Sequence, residues 1–199
     1  MKITALMPCY KIMEISAVQS LTAMQADIYS RGDKLNIVYV NGFNAMQART
    51  MLTKYACENE SDWVIWLDSD HIYKASDMYA LIDRCEKDSF GMLSANYYVR
   101  GKDKVTAHTR LDAELGHFKQ EELTGDVMEC DVIGFGFVVM RWSFLKKMFD
   151  RFQKDLFLLD HTDNTTEDVY FCRKVKEIGD KVLFHSGITV GHIASVIIK

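Results

Sequence analysis

The sequence predicts an α/β protein built on a mostly parallel central sheet, and three observations carry that prediction. Strand-like and helix-like stretches alternate through the first 70 residues, the pattern of a right-handed βαβαβ unit. The run Trp63-Val64-Ile65-Trp66-Leu67 is continuously apolar and rich in aromatic and β-branched side chains, as in a strand covered on both faces. Two carboxylates, Asp68 and Asp70, follow it directly, and open α/β sheets place their ligands at the carboxyl ends of such strands.

Taken in order, Ile3 to Met7 reads as the first buried strand, ended by Pro8-Cys9-Tyr10. Ile15 to Ser30 reads as a helix with Ile15, Val18, Leu21, Ala26 and Ile28 on its apolar face, stopped by Gly32. Ile37 to Val40 is the second strand, closed by the turn dipeptide Asn41-Gly42. Asn44 is placed to cap a helix running through Cys57. After the Trp63–Leu67 strand, Ser76 can cap a helix to about Lys87 with Met78, Leu81, Ile82 and Cys85 on one face. Gly91 to Tyr98 is a further strand. Residues 101 to 131 alternate charged and apolar types between glycines and read as hairpins or a meander. Gly134-Phe135-Gly136-Phe137 leads into a strand ending at Met140, and Trp142 to Phe152 and Thr165 to Ile178 read as helices, the second closed by Gly179. Val182–Phe184, Ile188–Val190 and Ile193–Ile198 are expected as closing strands. The expected organisation is one domain over 1–199, with a nucleotide-binding half over about 1–98 and an acceptor and catalytic half over about 99–199.

The chain has 199 residues, 48% hydrophobic and 26% charged, which fits one globular domain with a sizeable core. A net charge of −4 gives no basic excess for nucleic acid and argues against docking on anionic lipid. The five cysteines form no C-x-x-C pair and read as reduced core thiols of a cytoplasmic protein. No apolar run approaches the roughly 18 residues of a membrane span. Met1-Lys2-Ile3 runs straight into the first strand, so no leader is expected, and the apolar ending Val196-Ile197-Ile198 is compatible with a domain of a longer polypeptide.

Asp68 and Asp70 repel one another unless a cation sits beside them. Hard carboxylate oxygens suit Mn²⁺ or Mg²⁺, ions that commonly bridge to substrate phosphates. The plainer reading is a polar strand end. Four other pieces bear on the same site. Pro8 and Tyr10 end the first strand, where backbone groups and a stacking ring could hold a base or ribose. Arg49, in the second turn of its helix, could clamp a diphosphate as a guanidinium fork, or lie on a solvated face. Thr165-x-x-Asp168 fits a capping box, with Glu167 and Asp168 favoured by the helix dipole, and either carboxylate could instead serve as a general base. His192, after Val190-Gly191, is either a satisfied structural residue or a late metal ligand.

Together these pieces resemble the GT-A glycosyltransferases, most closely family 2: Pro8-Cys9-Tyr10, Asn44 to Arg49 (N-x-x-x-A-R), Trp66-Leu67-Asp68-Ser69-Asp70, Gly134-Phe135-Gly136-Phe137 and Glu167-Asp168, over nearly the whole chain. The resemblance implies a GT-A fold and transfer of one sugar from a UDP-sugar to an acceptor hydroxyl on a glycan or glycoprotein, with inversion. It implies that Asp70, Asp68 and His192 hold Mn²⁺ (or Mg²⁺), and that Pro8, Tyr10, Asn41, Arg49, Asp68 and Ser69 hold the donor. Asp168, or Glu167, would deprotonate the acceptor, and Asp168 is preferred. The sequence departs from the family at Asn41, where an acidic residue usually holds the uracil, and in the short segment before the Arg49 helix. The Q-x-x-R-W motif of processive enzymes is absent, so a non-processive enzyme is expected. Tyr97, Tyr98, Arg100 and His108 are candidate acceptor contacts. A nucleotidyltransferase is the alternative enzyme, although Pro8-Cys9-Tyr10-Lys11 lacks the glycines of a phosphate loop, and a non-catalytic carbohydrate-binding module is the alternative outside enzymes.

Overall fold

The computed structural model describes residues 1–99, 105–110, 116–159 and 165–193. Eleven strands and five α-helices are found among them. The first part runs β1 (Lys2–Cys9), α1 (Ile15–Ser30), β2 (Lys34–Asn41), α2 (Ala45–Glu58), β3 (Trp63–Leu67), β4 (His71–Ile72), α3 (Ala75–Asp88) and β5 (Met92–Asn96). The second runs β6 (Val105–Thr109), β7 (His117–Lys119), β8 (Val127–Glu129), β9 (Phe137–Arg141), α4 (Trp142–Phe152), α5 (Glu167–Glu177), β10 (Leu183–Thr189) and β11 (Gly191–His192).

Seven strands form one sheet in the order β2-β1-β3-β9-β5-β10-β8. The pairs β1–β2, β1–β3 and β5–β10 are parallel, whereas β9 is antiparallel to both its neighbours and β8 to β10. The protein is therefore α/β with a mostly parallel sheet, and both halves of the chain supply strands to it. Because β3 is buried on both faces, its side chains serve two cores by simple alternation. Trp63, Ile65 and Leu67 enter the cluster packed under α1 and α3, while Val64 and Trp66 enter the one under α2, α4 and α5. Trp66 meets Phe135 and Phe157 edge-on, each at 5.7 Å between centroids. Such pairs add about 0.5–1.5 kcal/mol beyond the area they bury.

Several local readings are revised. β1 extends through Pro8 and Cys9, since β3 pairs with β1 only as far as Leu6–Trp66 and leaves Pro8 on an open edge. The buried face of α1 is Ala17, Leu21, Met24 and Ile28, while Ile15 is 75% exposed. Lys74 rather than Ser76 precedes α3, with no side-chain cap. The capping box at Thr165 does not form, because α5 starts one residue later, after Thr166, with no side-chain cap. Asn44 does cap α2, its Oδ1 accepting the Gln47 N–H at 2.9 Å. The stretch read as two closing strands, 182–184 and 188–190, is the single strand β10, irregular between His185 and Thr189. Residues 194–198 of the last expected strand, and Arg100, lie outside the described residues.

Two features of this topology build the site. β9 runs opposite to β3, so its amino end arrives beside the carboxyl end of β3, and the Asp68 N–H donates to the Gly136 carbonyl at 3.1 Å. The short β4–β11 ribbon pairs His71 with His192 and carries the late histidine back over Asp70.

Candidate functional site

The residues proposed from the sequence for donor, metal and catalysis that share one cleft of about 320 Å³ at the carboxyl ends of β1 and β3 are Pro8, Tyr10, Arg49, Asp68, Ser69, Asp70, Glu167 and Asp168. Phe43, Ala45, Tyr97 and Phe135 complete its walls. This is the size class of small-molecule sites. Tyr10 is 63% exposed at the rim, with the Lys11 ammonium over its ring at 5.2 Å. His192 lines an adjoining hollow of about 470 Å³ that shares Asp68, Asp70 and Tyr97 with the cleft. Asn41 is not in the cleft and lines a separate hollow against α1. A third, apolar hollow of about 330 Å³ shares Phe43 and, among the described residues, is walled by no carboxylate or imidazole.

The first corner of the site is Asp70, His71 and His192, whose ligand-capable atoms lie within 4.8 Å of one another. His71 Nδ1 is 3.1 Å from Asp70 Oδ1, and His192 Nε2 is 3.4 Å from Asp70 Oδ2. The two imidazoles stack at 4.4 Å, and Tyr97 meets both edge-on. Burial opposes ionisation of Asp70, but its contacts with the His192 and His71 imidazoles outweigh it and hold the carboxyl well below the usual carboxylate range. The ribbon fixes this corner through the backbone as well, with Ile193 N–H donating to the Asp70 carbonyl at 2.8 Å.

The second corner is organised by Arg49, which is 4% exposed. Its Nη2 donates to Asp68 Oδ1 and its Nε to Glu167 Oε1, both at 3.2 Å. The guanidinium also faces Phe135 at 4.8 Å. Burial alone disfavours its charge, but Asp68, Glu167 and Asp168 reverse that effect and raise its pKa. Arg49 is thus a buried strut between the end of β3 and the start of α5, and the solvated-face reading is excluded. Its Nη1 has no partner among the described residues. Glu167 is committed to that strut. Asp168 instead lines the cleft, accepting the Thr166 hydroxyl and, at 2.9 Å, the Val169 N–H on one oxygen, Oδ1.

His108, a candidate acceptor contact, is fully buried. It hydrogen-bonds the Ala95 carbonyl through Nε2 at 2.9 Å, and burial pushes its pKa down to about 3. Its place is the core. Tyr98 is only partly exposed and turns its hydroxyl to Gln120. Tyr97 does line the cleft, with its hydroxyl accepting the Gly136 N–H at 3.1 Å. The sequence reading missed His71. Its signal was its place directly after Asp70, where an imidazole next to a carboxylate pair is a second potential cation ligand. It also missed why Gly136 is glycine. A Cβ there would stand 2.6 Å from His71 Nε2 and 2.9 Å from the Tyr97 ring.

No protein-family model matches the sequence, and no curated protein matches it closely. Solved structures do match, 239 chains in all, so the architecture is widely shared and by itself names no reaction. One of them, A197 from STIV, superposes with a TM-score of 0.69 at 16% identity, over 98% of this chain and 87% of that one. At that identity the likeness is one of fold.

Proposed function

We propose that this protein is a GT-A glycosyltransferase of the family 2 type, moving one sugar from a UDP-sugar to an acceptor hydroxyl on a glycan or glycoprotein in the cytoplasm. The observation that carries the reading is the convergence of Asp68, Asp70 and Asp168 on one cleft, each held by different partners. The donor set at Asp70 fits a hard divalent ion such as Mn²⁺ or Mg²⁺. It is a carboxylate kept ionised, next to a histidine whose Nδ1 is engaged by the Tyr98 carbonyl at 2.9 Å. Asp70 and His192 would hold the ion, with Asp68 beside them. When bound, it supplies positive charge against the diphosphate leaving group.

The chain's own residues then have separable tasks. Tyr10 and Pro8 border the space for base and ribose, and Arg49 Nη1 is a buried donor of the kind an anion satisfies. Asp168 accepts the proton of the acceptor hydroxyl. The oxygen so activated forms a bond to the anomeric carbon as the bond from that carbon to the diphosphate oxygen breaks, with the electron pair leaving on UDP. Attack from the face opposite the diphosphate inverts the configuration. Glu167, tied to Arg49, is the poorer base.

The test is a panel of nucleotide sugars incubated with the protein and Mn²⁺, without acceptor. Slow release of UDP from a UDP-sugar is expected. Release of pyrophosphate when a nucleoside triphosphate and sugar phosphate are supplied favours the nucleotidyltransferase instead. No turnover and no nucleotide binding across the panel favours a carbohydrate-binding module.

A further inference from the structure

We infer that the two histidines flanking Asp70 do opposite things: His192 gives a lone pair to the cation, whereas His71 keeps a proton on Nδ1 and serves only to aim the Asp70 carboxylate. This rests on the cation reading above and divides the labour within it.

Each imidazole presents a different nitrogen to Asp70. His192 Nδ1 is 2.9 Å from the Tyr98 carbonyl, so its proton sits there, and Nε2 is the atom turned toward Asp70 Oδ2 at 3.4 Å. In the neutral ring that atom is a lone pair facing a carboxylate oxygen. The contact is favourable only with a proton or a cation between them, so a metal can take the proton's place. His71 is the reverse. Its Nδ1 is the atom at 3.1 Å from Asp70 Oδ1, while Nε2 is buried with no partner among the described residues. Were His71 Nδ1 a ligand, the ring's proton would have to sit on Nε2, as a buried N–H with no acceptor, against Gly136 and Tyr97. With the proton on Nδ1, it instead makes a charge-assisted hydrogen bond to the carboxylate. His71 is 1% exposed and wedged by Tyr97 and His192, so it cannot turn over to offer the other nitrogen. Gly136 belongs to the same device, because a side chain there would displace the ring.

The direct test is long-range ¹H–¹⁵N NMR on the histidine-labelled full chain, before and after Cd²⁺, a diamagnetic ion close to Mn²⁺ in size. The His71 signals are assigned with His71→Asn. We expect His71 to hold its proton on Nδ1 throughout, and the His192 Nε2 resonance to shift as a ligand's does. A His71 Nδ1 that loses its proton on addition of Cd²⁺ overturns the assignment while leaving the cation reading intact. If neither ring responds, the cation reading itself fails. Calorimetry with Mn²⁺ gives an independent check. His71→Ala and Gly136→Ala should each weaken binding about 10–100-fold, as for loss of an outer hydrogen bond. His71→Asn, which can place an amide N–H near the Nδ1 position, should recover most of that loss. Equal and unrescued losses for His71→Ala and His192→Ala contradict the division.

Discussion

The two acidic corners of the cleft are both clamped, but by opposite means. At the Asp70 corner two imidazoles and a backbone ribbon surround a carboxylate. At the α5 corner a permanent cation, Arg49, is spent on Asp68 and Glu167. Asp168 is left beside it, tied among the described residues to the neighbouring Thr166 hydroxyl and Val169 N–H. The first arrangement gathers a carboxylate and imidazole nitrogens, the donor types that divalent transition metals take. The second already has its cation and leaves the Asp168 carboxylate lining the cleft. Two adjacent acids in the first turn of one helix are thus set apart by which one the arginine reaches.

The largest effect expected from breaking this contrast is on stability. Arg49→Met leaves Asp68 and Glu167 without their shared counter-charge, and loss of one partner of a buried pair costs about 3–5 kcal/mol. Denaturant unfolding measures it, and Arg49→Lys should fall between the variant and the parent. The next effect is on rate. Asp168→Asn should keep UDP binding and lose at least about a hundredfold in sugar transfer, the low end for loss of a general base. Glu167→Gln should lose much less than Asp168→Asn in the same assay. A reversal of that order would exchange the two roles.

The smallest effect lies away from both corners. His108 is buried uncharged, with its pKa pushed by burial from 6.5 to about 3. Between those values the unfolded chain takes up a proton that the folded chain refuses. The folded state therefore keeps its full stability above about pH 6.5 and loses it progressively as pH falls through that window. The drop in melting temperature from pH 7 to pH 5 should be steeper for the parent than for His108→Gln. An identical drop would show that His108 is not the group responsible.

The two corners also differ in how far local sequence reveals them. β3 and its aspartates are legible because an apolar run and the acids that end it are contiguous. Asn44 and the α2 helix are legible for the same reason. What completes the site comes from far along the chain. Glu167 reaches Arg49 across 118 positions, and His192 reaches Asp70 only because a two-residue strand pairs with another equally short. β9 is inserted antiparallel between β3 and β5, a pairing that no local periodicity encodes, and it brings Gly136 against His71. His108 misleads for a related reason. A histidine in a polar-looking stretch reads as a surface contact, but its strand turns that side chain inward against Phe184. Asn41 follows Val40 at the right strand end, yet it faces the α1 side rather than the cleft.

The central claim is that Asp70 grips a divalent ion through which a nucleotide diphosphate is held, and calorimetric titration of the protein with UDP, with and without Mn²⁺, tests it most directly. The account predicts binding that depends on Mn²⁺ in the parent and loses that dependence in Asp70→Ala. Equal affinity with and without the ion, or an unchanged Mn²⁺ effect in Asp70→Ala, would contradict it.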